Sequence, residues 1–418
     1  MQTVDLSIQA SIYNNEMKRS SFIKDHWKWM ATAAFAVGVF CFWYFLYPHL
    51  MAWREQSQLF LCNKEYLFER LVVPGGVAQY IGEALVQFFA NAKVGAMTYA
   101  VLFALTQWLT WKTIRRFRPN QSEKSKGALT FLLSFIPAII LCVLVTNPYI
   151  PTTPLVAVVL VLAALVVRPK GKKAQLVYTT SLIPIGYWLV GPAILLVALC
   201  NWRWAVPQWV LLVACVIGFS YFVPFPLRQQ ARGVDYYWEE EHKSTLEEMK
   251  YDRWMRMGKW ERIVDAANKE TPEALSSKNV VQLALKNLNR ISAGDLMHTL
   301  DPSKKVMNNM SGAFIMSEVF FHMGMTNMSQ RAAFEAMESI PNYNKSGRAL
   351  KRLTETAIVT GQYEIALKYI SILEESIVYK KWAKTVKPLA EHPETIPQNA
   401  FYQKMQKLYD EQEDFFFF

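Results

Sequence analysis

The chain has 418 residues, of which 52% are hydrophobic and 19% charged, too apolar for disorder and long enough for two or more domains. Its formal net charge of +11 lies wholly before residue 228, where 19 Lys and Arg face 8 Asp and Glu, while the remainder balances 26 against 26. A basic excess confined to the apolar half marks loops held on the cytoplasmic side of a membrane and argues against a nucleic-acid partner.

Residues 1–28, with Lys18, Arg19, Lys24 and Lys28, form a cytoplasmic N-terminal segment, and a membrane domain is expected over 29–227. Trp29 to Trp53 carry no formal charge and exceed the roughly 20 residues that a helix needs to cross the hydrocarbon, so they predict a first span. The stretch starts too late and runs too long for a cleaved signal peptide. The following loop, 54–93, balances Arg54, Lys64, Arg70 and Lys93 against Glu55, Glu65, Glu69 and Glu83, as suits an external segment. Its apolar residues repeat at helical spacing on either side of Pro74-Gly75-Gly76, with Gln79, Glu83 and Gln87 as a polar stripe. Two amphipathic helices lying on the outer membrane surface are expected there, the stripe turned away from the apolar face.

A second span is expected at 94–111, then a basic cytoplasmic loop, then a hairpin of two spans over Gly127 to Val167, broken at Asn147-Pro-Tyr-Ile-Pro-Thr-Thr-Pro154. Arg168, Lys170, Lys172 and Lys173 return the chain to the cytoplasm. Ala174 to Leu227 carry only Arg203, enough length for two spans or three short ones, with Gly191-Pro192 and Val206-Pro207 as possible breaks. Six spans leave the C-terminal half in the cytoplasm, and seven export it.

Residues 228–418 are expected to form a helical repeat domain. Glycines 258, 294, 324 and 361 are spaced near the 34-residue period of tetratricopeptide repeats. The best copy sets Gly324 at the inter-helix turn, Ala333 and Ala336 on the second helix, Pro341 after it and Ser317 where the helices approach; Gly361, Tyr363 and Ala366 repeat the pattern, and the Gly294 copy is poor. Stacked hairpins leave a concave surface for a partner. The aromatic end, Phe415 to Phe418, is unlike a polar end-cap, and is expected to mark a solenoid that continues or a tail that inserts into a groove or membrane.

The stretches "REQSQLF" from Arg54, "VPGGVAQYIGEALVQFF" from Val73, "SEVFFHMGMTNMSQRAAFEAMESIPNYNKSGRALKRLTETAIVTGQYEIALKYI" and "YKKWA" from Tyr379 resemble a family of uncharacterised multi-spanning membrane proteins of Bacteroidetes bacteria. The resemblance implies an apolar N-terminal half and a repeat-like C-terminal half, and no activity comes with it. The fold class expected is all-α: a polytopic membrane helix bundle followed by a tetratricopeptide-like domain, in a bacterial inner membrane.

No metal, nucleotide or hydrolase signature is present, and the five cysteines have no CxxC spacing. No cofactor is expected. His49 at the outer end of the first span and His322 in the best repeat are expected to be interface and packing residues. The function expected is a membrane-tethered scaffold that binds a protein partner through its repeats. The alternative is a membrane glycosyltransferase using a lipid-linked sugar, with Glu55 or Glu83 as general base and Arg54 or Arg203 on a diphosphate. Against that alternative, Arg54, Glu55, Glu69 and Arg70 are expected to be surface charges seating the loop among headgroups.

Overall fold

The computed structural model describes residues 26–117, 126–167, 169–200, 205–222, 244–301, 303–340 and 345–411. Among them there is no strand, only an isolated antiparallel bridge between Leu61 and Ser376, so the protein is all-helical. Arg203, Pro341 and the terminal phenylalanines lie outside the described residues.

The first helix, α1 (His26–Leu46), ends in a π turn at Phe42–Leu46. The expected first span does not run on to Trp53. Pro48, which lacks an N–H, opens a separate helix α2 (Pro48–Gln56), because proline is tolerated in a first turn and not in a helix interior. Next come α3 (Lys64–Leu71), α4 (Gly76–Gln87) and α5 (Ala92–Phe117). α6 (Lys126–Leu133) and α7 (Phe135–Leu144) adjoin at Ser134. They are followed by α8 (Thr153–Val166), α9 (Lys172–Val190), α10 (Leu195–Cys200) and α11 (Ala205–Phe222).

Among the described residues, three helical stretches are long and apolar enough to cross a membrane: His26–Leu46, Gly127–Leu144 and Lys173–Cys200. These are fewer than the six or seven spans expected. α8 and the apolar part of α11, Val206–Gly218, are short, while Thr106, Gln107 and Thr110 dilute α5. Those polar groups are buried between helices: Thr32 donates to Gln107, which donates to Ser134 at 2.8 Å. Large apolar side chains such as Val37, Met97, Ile140, Ile185 and Val210 point outward instead.

Cross-contacts give the helix directions. Thr32 meets Gln107 while Trp43 stacks near Tyr99, so α1 and α5 are antiparallel. Gln208 donates to Thr179, and Cys215 lies beside Tyr187, so α11 runs parallel to α9. The turn between them is a 3₁₀ segment, Gly191–Ile194, followed by the six-residue α10.

The second half begins with α12 (Leu246–Arg256), closed by a Thr245–Glu248 capping box. It continues as α13 (Trp260–Lys269), α14 (Leu275–Asn287), α15 (Ala293–Thr299), α16 (Met310–His322), α17 (Thr326–Glu338), α18 (Gly347–Val359), α19 (Tyr363–Glu374), α20 (Lys380–Glu391) and α21 (Ala400–Glu411). Gly258, Gly324 and Gly361 have φ of 63°, 82° and 76° and turn α12 into α13, α16 into α17 and α18 into α19, a left-handed conformation costly for any residue with a Cβ. Gly294 does not belong to this set. It lies inside α15, and the equivalent turn after α14 is made by Asn289 with φ 56°, which asparagine tolerates better than most residues.

The halves share one core. Trp43, Leu50, Met51 and Trp53 of the first two helices are buried in the same cluster as Met249, Met310, Phe314, Ala336 and Ala349.

Candidate functional site

Where α2 meets the helical half, a charged network lies inside the protein. Pro48 starts α2 directly beyond α1, and the helix aims Arg54, Glu55 and Gln56 inward, each at most 3% exposed. Arg54 and Glu55 are thus not the surface charges expected. The Arg54 guanidinium donates to the carbonyl oxygens of Val145 (2.6 Å), Asn147 (2.8 Å) and Ile150 (2.8 Å) and to the Tyr99 hydroxyl, so it ties α2 to the turn between α7 and α8.

Glu55 points the other way, toward the second half. Burial pushes its carboxyl up to about 7, against the opposing pull of Arg256, the Tyr379 hydroxyl and Arg348. Its Oε1 has no hydrogen-bond partner. Beside it, Arg348 donates to Gln56 Oε1 (2.7 Å) and grips Asp252 with both terminal nitrogens (3.0 and 2.8 Å), the fork geometry that makes Arg–carboxylate pairs strong. Arg256 closes on Asp252 at 3.3 Å. A second arginine, Arg352, holds Glu318 at 2.7 Å and Glu355 at 3.0 Å. Burial alone would raise Glu318, yet Arg352, His322 and Arg348 hold it well below the usual carboxylate range. The result is a buried acid of raised proton affinity, Glu55, set beside a fixed acid–arginine lattice.

The loop helices invert the expected pattern. Glu83 and Gln87 are buried, at 4% and 1% exposure, while Phe88 is exposed. Glu83 accepts from Tyr66 (2.6 Å), Arg70 (2.8 Å) and Gln79 (2.9 Å), and Gly75 donates to the carbonyl of Trp188 at the end of α9. At Glu83 the stripe is therefore an α3–α4 seam rather than a wet face, because Tyr66 and Arg70 of α3 satisfy its carboxylate, while Gln87 donates to the carbonyl of Gln58.

Among the repeat residues, Ser317 and Ser329 exchange hydroxyl-to-carbonyl bonds of 2.9 and 2.7 Å between α16 and α17. Ala333, Ala336 and Ala366 are fully buried, and a Cβ on Gly324 would meet the backbone of Leu408 in α21. Tyr363 packs partly buried against the same cluster as Ala366, whereas Gly361 meets nothing beyond its turn. His322 lies 3.6 Å from Glu318 and edge-on to Trp260.

Glu83 lies on the α3–α4 seam with Arg70, whereas the groups that act on Glu55 come from the second half: Arg256, Tyr379 and Arg348. One signal for them was legible. Arg348 sits in the first turn of a helix, where a cation opposes the helix dipole unless an acid is near. No group of three His, Cys, Asp or Glu able to hold a metal occurs among the described residues.

A family model described as a family of unknown function (DUF6057) matches residues 25–237 and 203–418, two overlapping stretches that cover nearly the whole chain. No curated protein and no solved structure matches it significantly.

Proposed function

We propose for this chain, which belongs to the DUF6057 family, the role of a multi-pass scaffold of a bacterial inner membrane. In this reading its tetratricopeptide-like half stands outside the cytoplasm and binds a protein partner. The observation that carries the reading is the outer face of α17, where Phe334, 40% exposed, is ringed by Asn327, Gln330, Arg331, Glu335 and Glu338 around a shallow groove. An aromatic anchor inside a polar rim is the composition of a binding hot spot.

The external placement is supported by the bonds between the first loop and the second half. Arg348 reaches Gln56, and Cys62 N donates to Glu375 O at 2.9 Å, contacts that support placing the two on one side of the membrane. The parallel run of α9 and α11 fits the seven-span arrangement, in which the two point the same way. Three left-handed glycine turns and the Asn289 turn support the repeat reading.

The test is affinity purification of the full chain in mild detergent. A stoichiometric protein partner is expected, lost on Phe334→Ala with Arg331→Glu. An equal yield with this double variant overturns the surface, and recovery of no protein partner overturns the scaffold.

One observation favours the transferase reading: Glu55 on α2, just beyond α1, whose carboxyl burial pushes up to about 7. Under it, Glu55→Gln costs roughly 10²–10⁴-fold in transfer from a lipid-linked sugar, and Glu83→Gln, whose carboxylate is consumed by three donors, costs less.

A further inference from the structure

At the outer end of α1 the structure gathers cations that no carboxylate among the described residues pairs with. Lys250 and Arg253, one turn apart on α12, add to burial in lowering the proton affinity of His49, and Arg253 also feels the Tyr44 hydroxyl. His49 is only 5% exposed, and its Nε2 has no hydrogen-bond partner. Among the described residues no carboxylate pairs with Lys250 or Arg253. The neighbours of Arg253 include Arg256 and Arg262, whose repulsion adds to burial in lowering its affinity for a proton. A cluster of this kind is electrostatically incomplete, because half-buried like charges repel and gain from an anion set between them.

The same face of α1 leads away from these cations along an apolar groove. Tyr44 stacks on Phe40 with ring centroids 5.6 Å apart. Phe40 then lines a groove of about 500 Å³ between α1 and α5, floored by Ala36, Ala100 and Ala104 and closed at its far end by Trp29 and Trp108. Alanines at the helix contact leave the room that larger side chains would fill. Charge stands at one end of the groove and hydrocarbon-compatible walls run for the rest of it.

We infer that Lys250, Arg253, His49 and Tyr44 bind the phosphate headgroup of an anionic membrane lipid whose acyl chain lies in the α1–α5 groove. The lipid is specified by charge complementarity at one end and apolar shape at the other. It is independent of the partner surface on α17, so either can fail without the other.

The experiment is native mass spectrometry of the full chain, released from mild detergent and titrated with phosphatidylglycerol or with phosphatidylcholine of the same acyl chains. Phosphatidylglycerol is expected to bind preferentially. The double variant Lys250→Gln/Arg253→Gln should weaken it by about 30-fold, roughly fivefold per charge, while Arg253→Lys keeps most of the binding. Ala104→Phe, which fills the groove, should weaken both lipids. Lys250→Glu changes an exposed side chain only, so loss of binding in that variant cannot be traced to misfolding. Equal binding of the two lipids, unchanged binding in the charge variants, or displacement of the lipid by millimolar inorganic phosphate overturns the assignment, the last pointing to a free anion instead.

Discussion

Three carbonyl oxygens and a phenol converge on the guanidinium of Arg54; without it the Val145 and Ile150 oxygens lose this donor, while Asn147 O keeps the Ile150 N–H and the Tyr99 hydroxyl keeps Thr152. A buried acceptor left unmet costs about 1–3 kcal/mol. Arg54→Met is therefore expected to destabilise the protein by roughly 3–5 kcal/mol, the range for breaking a buried charged contact, read as a lowered melting midpoint in detergent. An unchanged midpoint means that those carbonyls find other donors. Glu55 acts in the opposite sense. Its carboxyl, raised to about 7 by burial, is easier to protonate in the folded than in the unfolded state, so its charged form penalises folding. The penalty is full above pH 7, shrinks as pH falls toward the ordinary carboxylate value near 4.5 and is absent below it. Glu55→Gln should accordingly stabilise the protein at pH 8, by roughly 3 kcal/mol at most, and flatten its melting profile between pH 5 and 8. Arg256, Arg348 and Tyr379 face this carboxyl, so a profile that keeps its slope in the variant would assign the titration to another group.

At the scale of elements, the hairpin turns rest on a backbone conformation more than on a residue type. Asn289 adopts φ 56° where three other turns use glycine. Asn289→Gly is expected to be nearly neutral, and Asn289→Val, whose branched Cβ resists that region, to cost about 1–2 kcal/mol. Melting curves of the two variants check this, and equal midpoints would show that the turn relaxes. Ala336 tests the packing between hairpins. It is fully buried beside Met310, Phe314 and Ala349, so Ala336→Leu should overpack the contact by on the order of 1–3 kcal/mol. The helical spacing of the loop was legible too: α3 and α4 form on either side of Pro74-Gly75. The direction of their polar stripe was not, because periodicity shows that a face is polar without showing that Tyr66 and Arg70 wait to satisfy it.

For the whole molecule, the bonds from α2 to α18 and from Cys62 to Glu375 make topology measurable. Cys62 is exposed and serves as the label for the first loop. In a Cys62→Ser background, a cysteine at exposed Glu364 on α19 reports the second half, whereas Ser346 is wholly buried as the cap of α18 and is a poor site. Both Cys62 in the native chain and Glu364→Cys should react with an impermeant maleimide in intact spheroplasts. Labelling of Cys62 alone would place the halves on opposite sides, and an interface between them could not then exist in the membrane.

Hydropathy, charge bias and glycine spacing by themselves determined that the chain is helical, that its first half is apolar and its second half not, and that left-handed turns recur near Gly258, Gly324 and Gly361. These are local or additive properties, carried by each segment independently of what it meets. Tertiary structure alone decided that Arg54, Glu55 and Glu83 go inside, and that Arg256, Arg348 and Tyr379 gather around Glu55 from positions up to 324 residues away in the chain. A charge reads as surface-seeking until its partner is known. The partners here come from the other half of the molecule, and only the packing of α2 against α12 and α18 brings the desolvation of each charge and its compensation to the same place.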